Sequence, residues 1–208
     1  MVDDVNGAVR NSPPRMVVGI SGASGAIYGA RVLDALKDLG VESHLVVTKA
    51  ALLTLSQETD LTADDLSAKA TATHRLADVG ASIASGSFRT LGMIVAPCSV
   101  RTMSEIATGV TSSLLTRAAD VTLKERRPLV LMVRETPLHL GHLRSMSAVT
   151  EMGAVVMPPV PAFYAQPETI ADIVDHSVSR ALDLFGLETG GVHRWGEDVG
   201  PRGPEGRR

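Results

Sequence analysis

The residues whose types and spacing suggest chemistry fall into a few short runs. Ser21-Gly22-Ala23-Ser24-Gly25-Ala26 is a turn of small residues. Short or absent side chains let the backbone approach a ligand there, and helix-start amides can meet an anion. The run matches neither the GxGxxG fingerprint nor a Walker A loop. Taken alone, it suits a tight strand-to-helix turn as well as a phosphate or flavin cradle. Pro97-Cys98-Ser99-Val100-Arg101-Thr102 is a second such turn. Ser99 suits the N-cap of a helix beginning near Arg101, and its hydroxyl with the following amides can also cradle a phosphate. Thr48-Lys49 and Arg134-Glu135 add hydroxyl and charge. The Arg134 guanidinium can grip a phosphate or carboxylate bidentately.

Arg117, Lys124, Arg126 and Arg127 concentrate positive charge, and most of it reads as solvated surface. Phe163-Tyr164-Ala165-Gln166-Pro167 precedes a last helix that carries Arg180. A tyrosine there can pack against an apolar tail while its hydroxyl reaches a phosphate, or serve only as a packed loop aromatic. Cys98 has no flanking histidine and reads as inert core. Six histidines are present, but none forms an HxxxH pair or a His/Asp cluster, and His139 with His142 supplies only two ligands. No metal is expected. GxSxG is absent, which removes the serine-hydrolase elbow.

These runs need elements to position them. Apolar stretches at Met16 to Ile20, Val41 to Val47, Met93 to Ala96, Leu129 to Val133 and Ala154 to Met157 read as strands buried on both faces. Helix signals lie between them, as in Val32, Leu33, Leu36 and Leu39 with Gly40 as a stop, and in Asp172 to Leu184. Residues 59 to 84 read as helix and loop. Alternating strands and helices make a parallel sheet. The fold class is therefore α/β, a Rossmann-like (flavodoxin-like) three-layer domain. In such a sheet ligands bind beyond the carboxyl ends of the strands, which is where the runs above fall.

The chain has 208 residues, 44% of them hydrophobic, enough for one well-buried core. One domain is expected over residues 16–195, between flexible tails at 1–15 and 196–208. A net charge of -3 gives no basic field for nucleic acid. No run approaches the roughly 18 apolar residues of a membrane span, and the single cysteine and polar start suggest a cytoplasmic protein. Trp195, remote from any strand end, suits packing against another subunit.

Taken together, several ordered motifs resemble the UbiX-type flavin prenyltransferases. They are Ser21-Gly22-Ala23-Ser24-Gly25-Ala26 with Tyr28-Gly29, Ala96-Pro97-Cys98-Ser99, Arg117-Ala118-Ala119-Asp120-Val121, Leu123 to Leu129, Arg134-Glu135-Thr136-Pro137, and Phe163-Tyr164 with Gln166-Pro167. The resemblance implies that a dimethylallyl group from dimethylallyl phosphate is joined to N5 and C6 of reduced FMN. The product would serve a UbiD-type decarboxylase. It places FMN on Gly22, Ala23, Ser24, Thr48, Ser99, Val100, Arg101, Thr102 and Arg134. Tyr164, Arg180 and Arg117 would hold the prenyl phosphate, while Ser24, Glu58, Lys124 and Glu135 would act in catalysis. Glu135 suits proton donation to the leaving phosphate if its pKa is raised. Glu58 and the departing phosphate are alternative acceptors for the C6 proton. The resemblance also implies a homo-oligomer, a dodecamer.

Two other readings compete. An FMN-dependent decarboxylase of the phosphopantothenoylcysteine type shares the flavin fold, but its active-site histidine and PxSANT-like stretch are missing at the matching turns. A non-catalytic flavin carrier is the second.

Overall fold

The structure, a computed structural model, describes residues 13–190 and 199–200. The sheet has six parallel strands: β1 Arg15–Ile20, β2 Glu42–Val47, β3 Ala72–His74, β4 Gly92–Cys98, β5 Leu129–Val133 and β6 Val155–Val156. Their order is β3-β2-β1-β4-β5-β6. This doubly wound order reverses between β1 and β4, and such a reversal leaves a crevice at the carboxyl edge.

Among the described residues seven helices cover the two faces. They are α1 Ala26–Asp38, α2 Lys49–Glu58, α3 Ala63–Lys69, α4 Val100–Ala107, α5 Leu114–Lys124, α6 Leu140–Glu151 and α7 Ile170–Asp183. Alternate residues of one strand enter different cores. Val18 and Ile20 join Leu33, Leu36, Val178 and Leu182 on one face. Val17 joins Met93, Leu115, Ala118 and Leu131 on the other. Burial on both faces explains why these strands read as continuous apolar runs rather than alternating ones.

Differences from the expected elements are local. β1 begins at Arg15, inside the stretch expected to be a tail, and α4 begins at Val100. Residues 59 to 84 contain α3 and the edge strand β3 as well as loop. β3 has three residues, Ala-Thr-His, none fully buried, too short and too polar to show a strand period. The expectations for residues 1–12, for Trp195 and for most of 196–208 lie outside the described residues. Among the described residues no helix is long and apolar enough to cross a membrane.

Candidate functional site

The two turns that end β1 and β4 are fastened to each other. The Ser21 hydroxyl donates to the Pro97 carbonyl at 3.0 Å and accepts from the Ser99 amide at 2.7 Å. Ser21 is 1% exposed, so its hydroxyl is structural. The Ser99 hydroxyl accepts from the Thr102 amide and caps α4. Thr48 caps α2 by accepting from the Ala51 amide at 3.1 Å. The first turns of α2 and α4 thus flank β1 at the ligand edge, each with the positive end of its dipole at the crevice.

Both first turns line a single cavity of about 520 Å³, within the usual range for small-molecule sites. Gly22, Ala23, Ser24, Thr48, Ser99, Val100, Arg101, Thr102, Arg134 and Glu135 all line it. A side chain at position 22 would meet Ala50: a Cβ there would lie 2.4 Å from the Ala50 Cβ. Glycine therefore lets the β1 turn lie against α2. Gly25 has a φ of 102°, a left-handed conformation that glycine adopts without strain.

Glu58, at the end of α2, accepts from the Gly25 amide at 2.7 Å and the Ala26 amide at 3.2 Å. The amides at the start of α1 are thus occupied by a carboxylate, and the anion-binding amides at the crevice belong to α2 and α4. Burial pushes the Glu58 carboxyl up. The Ser24 hydroxyl, the two amides and the Arg134 charge outweigh it, and the net shift is downward. Arg101 donates to Glu105 at 3.0 Å, and the Ser112 hydroxyl donates to the same carboxylate at 2.7 Å. The Thr136 amide donates to Glu135 at 3.1 Å.

Five expected residues do not line this cavity: Glu58, which holds the α1 amides, and four that lie on α5, on α7 and before α7. Arg117 pairs with Asp120 at 2.7 Å on α5, and Lys124 with Glu125 at 2.6 Å. Arg180 pairs with Asp183 on α7. Tyr164 sits in a 3-10 turn, its ring 5.9 Å from that of His176. Cys98 is wholly buried and its thiol is pushed up to about 12 by that burial, so it is no nucleophile. Arg127 donates to the Phe88 and Gly86 carbonyls at 2.8 and 2.7 Å, a structural clamp rather than solvated surface. His139 and His142 lie with ring centres 3.6 Å apart and planes tilted by 30° at the start of α6. His139 is its N-cap, accepting from the Gly141 amide.

Sequence reasoning missed Ala50, Leu76, Glu105, Ser112, Ser113, Leu115 and Thr116 as lining residues, and noted Lys49 after a strand end without assigning it to the flavin. Ser112-Ser113 before an apolar helix pattern was the available signal, since Ser113 caps α5.

A profile of the family described as Flavoprotein matches residues 6–182. The flavin prenyltransferase UbiX of Thauera aromatica is 58% identical over 181 residues, covering 87% of this chain and 93% of that protein. The chain belongs to the UbiX family of flavin prenyltransferases. The Escherichia coli K12 member is 58% identical over 174 residues, covering 83% of this chain and 92% of that protein. Among solved structures of the family, AnUbiX in complex with FMN and dimethylallyl pyrophosphate superposes with a TM-score of 0.87 at 50% identity. The match covers 88% of this chain and 98% of that one. The dodecameric FMN-dependent UbiX-like decarboxylase of Escherichia coli O157:H7 superposes with a TM-score of 0.85 at 50% identity, covering 87% and 98%. A phosphopantothenoylcysteine decarboxylase mutant reaches a TM-score of 0.57 at 21% identity, which shares the fold alone.

Proposed function

We propose that this chain joins a dimethylallyl group to N5 and C6 of reduced FMN, making a prenylated flavin for a UbiD-type decarboxylase in the cytoplasm. One observation carries the reading: every residue expected to hold the flavin lines one cavity between two helix N-termini. The membership in the flavin prenyltransferase family supports it.

The donor set fits a flavin mononucleotide. Hydroxyls at Ser24, Thr48, Ser99 and Thr102 and charges at Lys49, Arg101 and Arg134 face the cavity. Bound reduced FMN supplies the nucleophilic N5 and C6 that take the prenyl group. The chain's own residues orient it and meet the phosphate charge that develops as the allylic ester breaks. Lys124, Arg134 and Arg180 supply that positive charge. Glu135 lines the cavity, and we assign to it the proton transfer to the leaving phosphate. Glu58 is held ionised by several donors, so it anchors the Ser24 turn and is a weak base for the C6 proton. The departing phosphate is the better acceptor.

Arg117, Lys124, Tyr164 and Arg180 lie on α5, on α7 and in the turn before α7, away from the cavity. We assign them to the cavity of a neighbouring copy in a homo-oligomer, a dodecamer as in the Escherichia coli O157:H7 relative.

Incubation with reduced FMN and either dimethylallyl phosphate or the pyrophosphate, followed by mass analysis of the flavin, tests the reading. A gain of one prenyl unit is expected with at least one donor. Unmodified flavin with both would exclude the prenyltransferase reading and favour the carrier.

A further inference from the structure

Lys124 is the last residue of α5 and is half-exposed. A free lysine in such a position would spread its ammonium over many rotamers, because its stem is long and flexible. It is held instead. The ammonium donates to Glu125 Oε1 at 2.6 Å. Consecutive residues of a regular helix point away from each other, so this contact needs other groups to turn the carboxylate.

The turn after α5 and the loop at residues 85–88 supply them. The Arg126 amide donates to the Leu123 carbonyl at 2.9 Å and the Arg127 amide to the Thr122 carbonyl at 3.0 Å, the paired bonds of a Schellman ending. Arg126 takes the left-handed conformation of that ending, with a φ of 53°. The chain doubles back. The Arg127 guanidinium then donates to the Gly86 and Phe88 carbonyls at 2.7 and 2.8 Å and lies 4.0 Å from Glu125 Oε2. The loop that it grips is fixed in turn, since the Phe88 ring meets that of His44 on β2 edge to face, with centres 4.9 Å apart. Gly86 completes the seat: a Cβ there would lie 2.1 Å from Glu125 Oε1 and 2.8 Å from Lys124 Nζ. With no side chain in the way, the ion pair rests on the loop backbone.

We propose that Glu125, seated on Gly86 and backed by Arg127, is a positioning residue that holds the Lys124 ammonium ready for the phosphate of the prenyl donor. Glu125 takes one N–H of the ammonium and leaves the others for phosphate oxygens. An ammonium already in place meets the phosphate without first losing rotamer freedom, so the benefit falls on use of the donor and not on flavin binding. The proposal rests on the prenyl-transfer reading above and adds to it two residues, Gly86 and Glu125, that line no part of the flavin cavity.

Gly86→Ala is the discriminating variant. The φ of Gly86 lies outside the left-handed range, and the added methyl first meets the movable ends of the Glu125 and Lys124 side chains. The fold should survive, with a melting temperature within about 3 °C of the natural protein's. At saturating FMN, kcat/KM for the donor should fall about fivefold in Gly86→Ala and about tenfold in Glu125→Ala, the scale of one charge-assisted hydrogen bond, with FMN affinity kept within about twofold. Glu125→Gln keeps an acceptor oxygen and should hold kcat/KM within about threefold of the natural value. In a Lys124→Met background neither Gly86→Ala nor Glu125→Ala should lower the remaining rate further, since both act through that ammonium. Losses that persist in that background, or full donor kcat/KM in both single variants, would overturn the assignment. If the natural protein forms no prenylated flavin, the prenyl-transfer reading falls and takes this assignment with it, whereas natural turnover with indifferent variants removes the assignment alone.

Discussion

The Glu58 carboxylate accepts the Gly25 amide at 2.7 Å across 33 residues of sequence, closing the start of α1 with the end of α2. A carboxylate at a helix N-terminus satisfies orphan amides and complements the dipole. In this chain it also fixes the turn that carries Ser24.

Glu58 therefore links the turn to pH. Its folded pKa is lowered overall, so the stability it contributes is present above the unfolded carboxyl value and is lost as pH falls through the folded one. Melting temperature followed from about pH 6 down to about pH 3 should drop for the natural protein and drop less for Glu58→Gln. Parallel curves would show that the carboxylate adds no pH-dependent stability. Glu58→Gln should also slow prenylation, because the turn is held by fewer charge-assisted bonds.

A second acid-sensitive contact lies across β2 and β3. His44 Nδ1 is 3.0 Å from His74 Nε2, so one nitrogen must donate and the other accept. Burial lowers the pKa of both; His74 and Arg15 lower that of His44 further while Glu42 raises it, and Asp78 raises that of His74. Both are bases with depressed folded values, so their contribution is present above the unfolded histidine pKa and is lost as pH falls below about 6.5. Corrected for the intrinsic exchange rate, the opening of the β3 amides should rise as pH falls from about 7.5 to about 5.5 in the natural protein. In His74→Phe, whose ring can still pack beside Phe88 and His44, that rise should shrink. An unchanged rise would place the sensitivity elsewhere.

Flavin binding tests the cavity itself. Ser24→Tyr should block close approach at the β1 turn, and Arg134→Ala should leave a flavin group without its cationic partner. Each should weaken FMN by about tenfold or more. Isothermal titration that finds natural affinity in both variants would remove the cavity as the flavin site.

Assembly is tested by complementation. Ser24→Tyr disables the cavity, whereas Arg180→Ala disables a residue assigned to the neighbouring copy's cavity. Each homo-oligomer should be inactive, and co-expressed mixed oligomers should recover about a quarter of the activity or less, since only some cavities combine both intact halves. Tyr164→Phe, which loses one neutral hydrogen bond, should cost less than Arg180→Ala. Mixed oligomers as inactive as the parents would sink the shared-site assignment.

The sequence by itself determined the parallel α/β sheet, because strands buried on both faces leave continuous apolar runs such as Leu129–Val133. It also determined which turns carry chemistry, because small and hydroxyl residues at strand ends serve local geometry and local caps, as Ser99 and Thr48 do. The three-residue edge strand β3 was not legible, since it has too few residues to show a period and its pairing with β2 is long-range. Only the tertiary structure decided how the charges are shared: Glu58 reaches Gly25 from 33 residues away, and Glu105 holds Arg101 and Ser112. Sequence gives the number and type of charges, but compensation depends on distance in space, which only the packing of α2, α4 and α5 around one cavity sets.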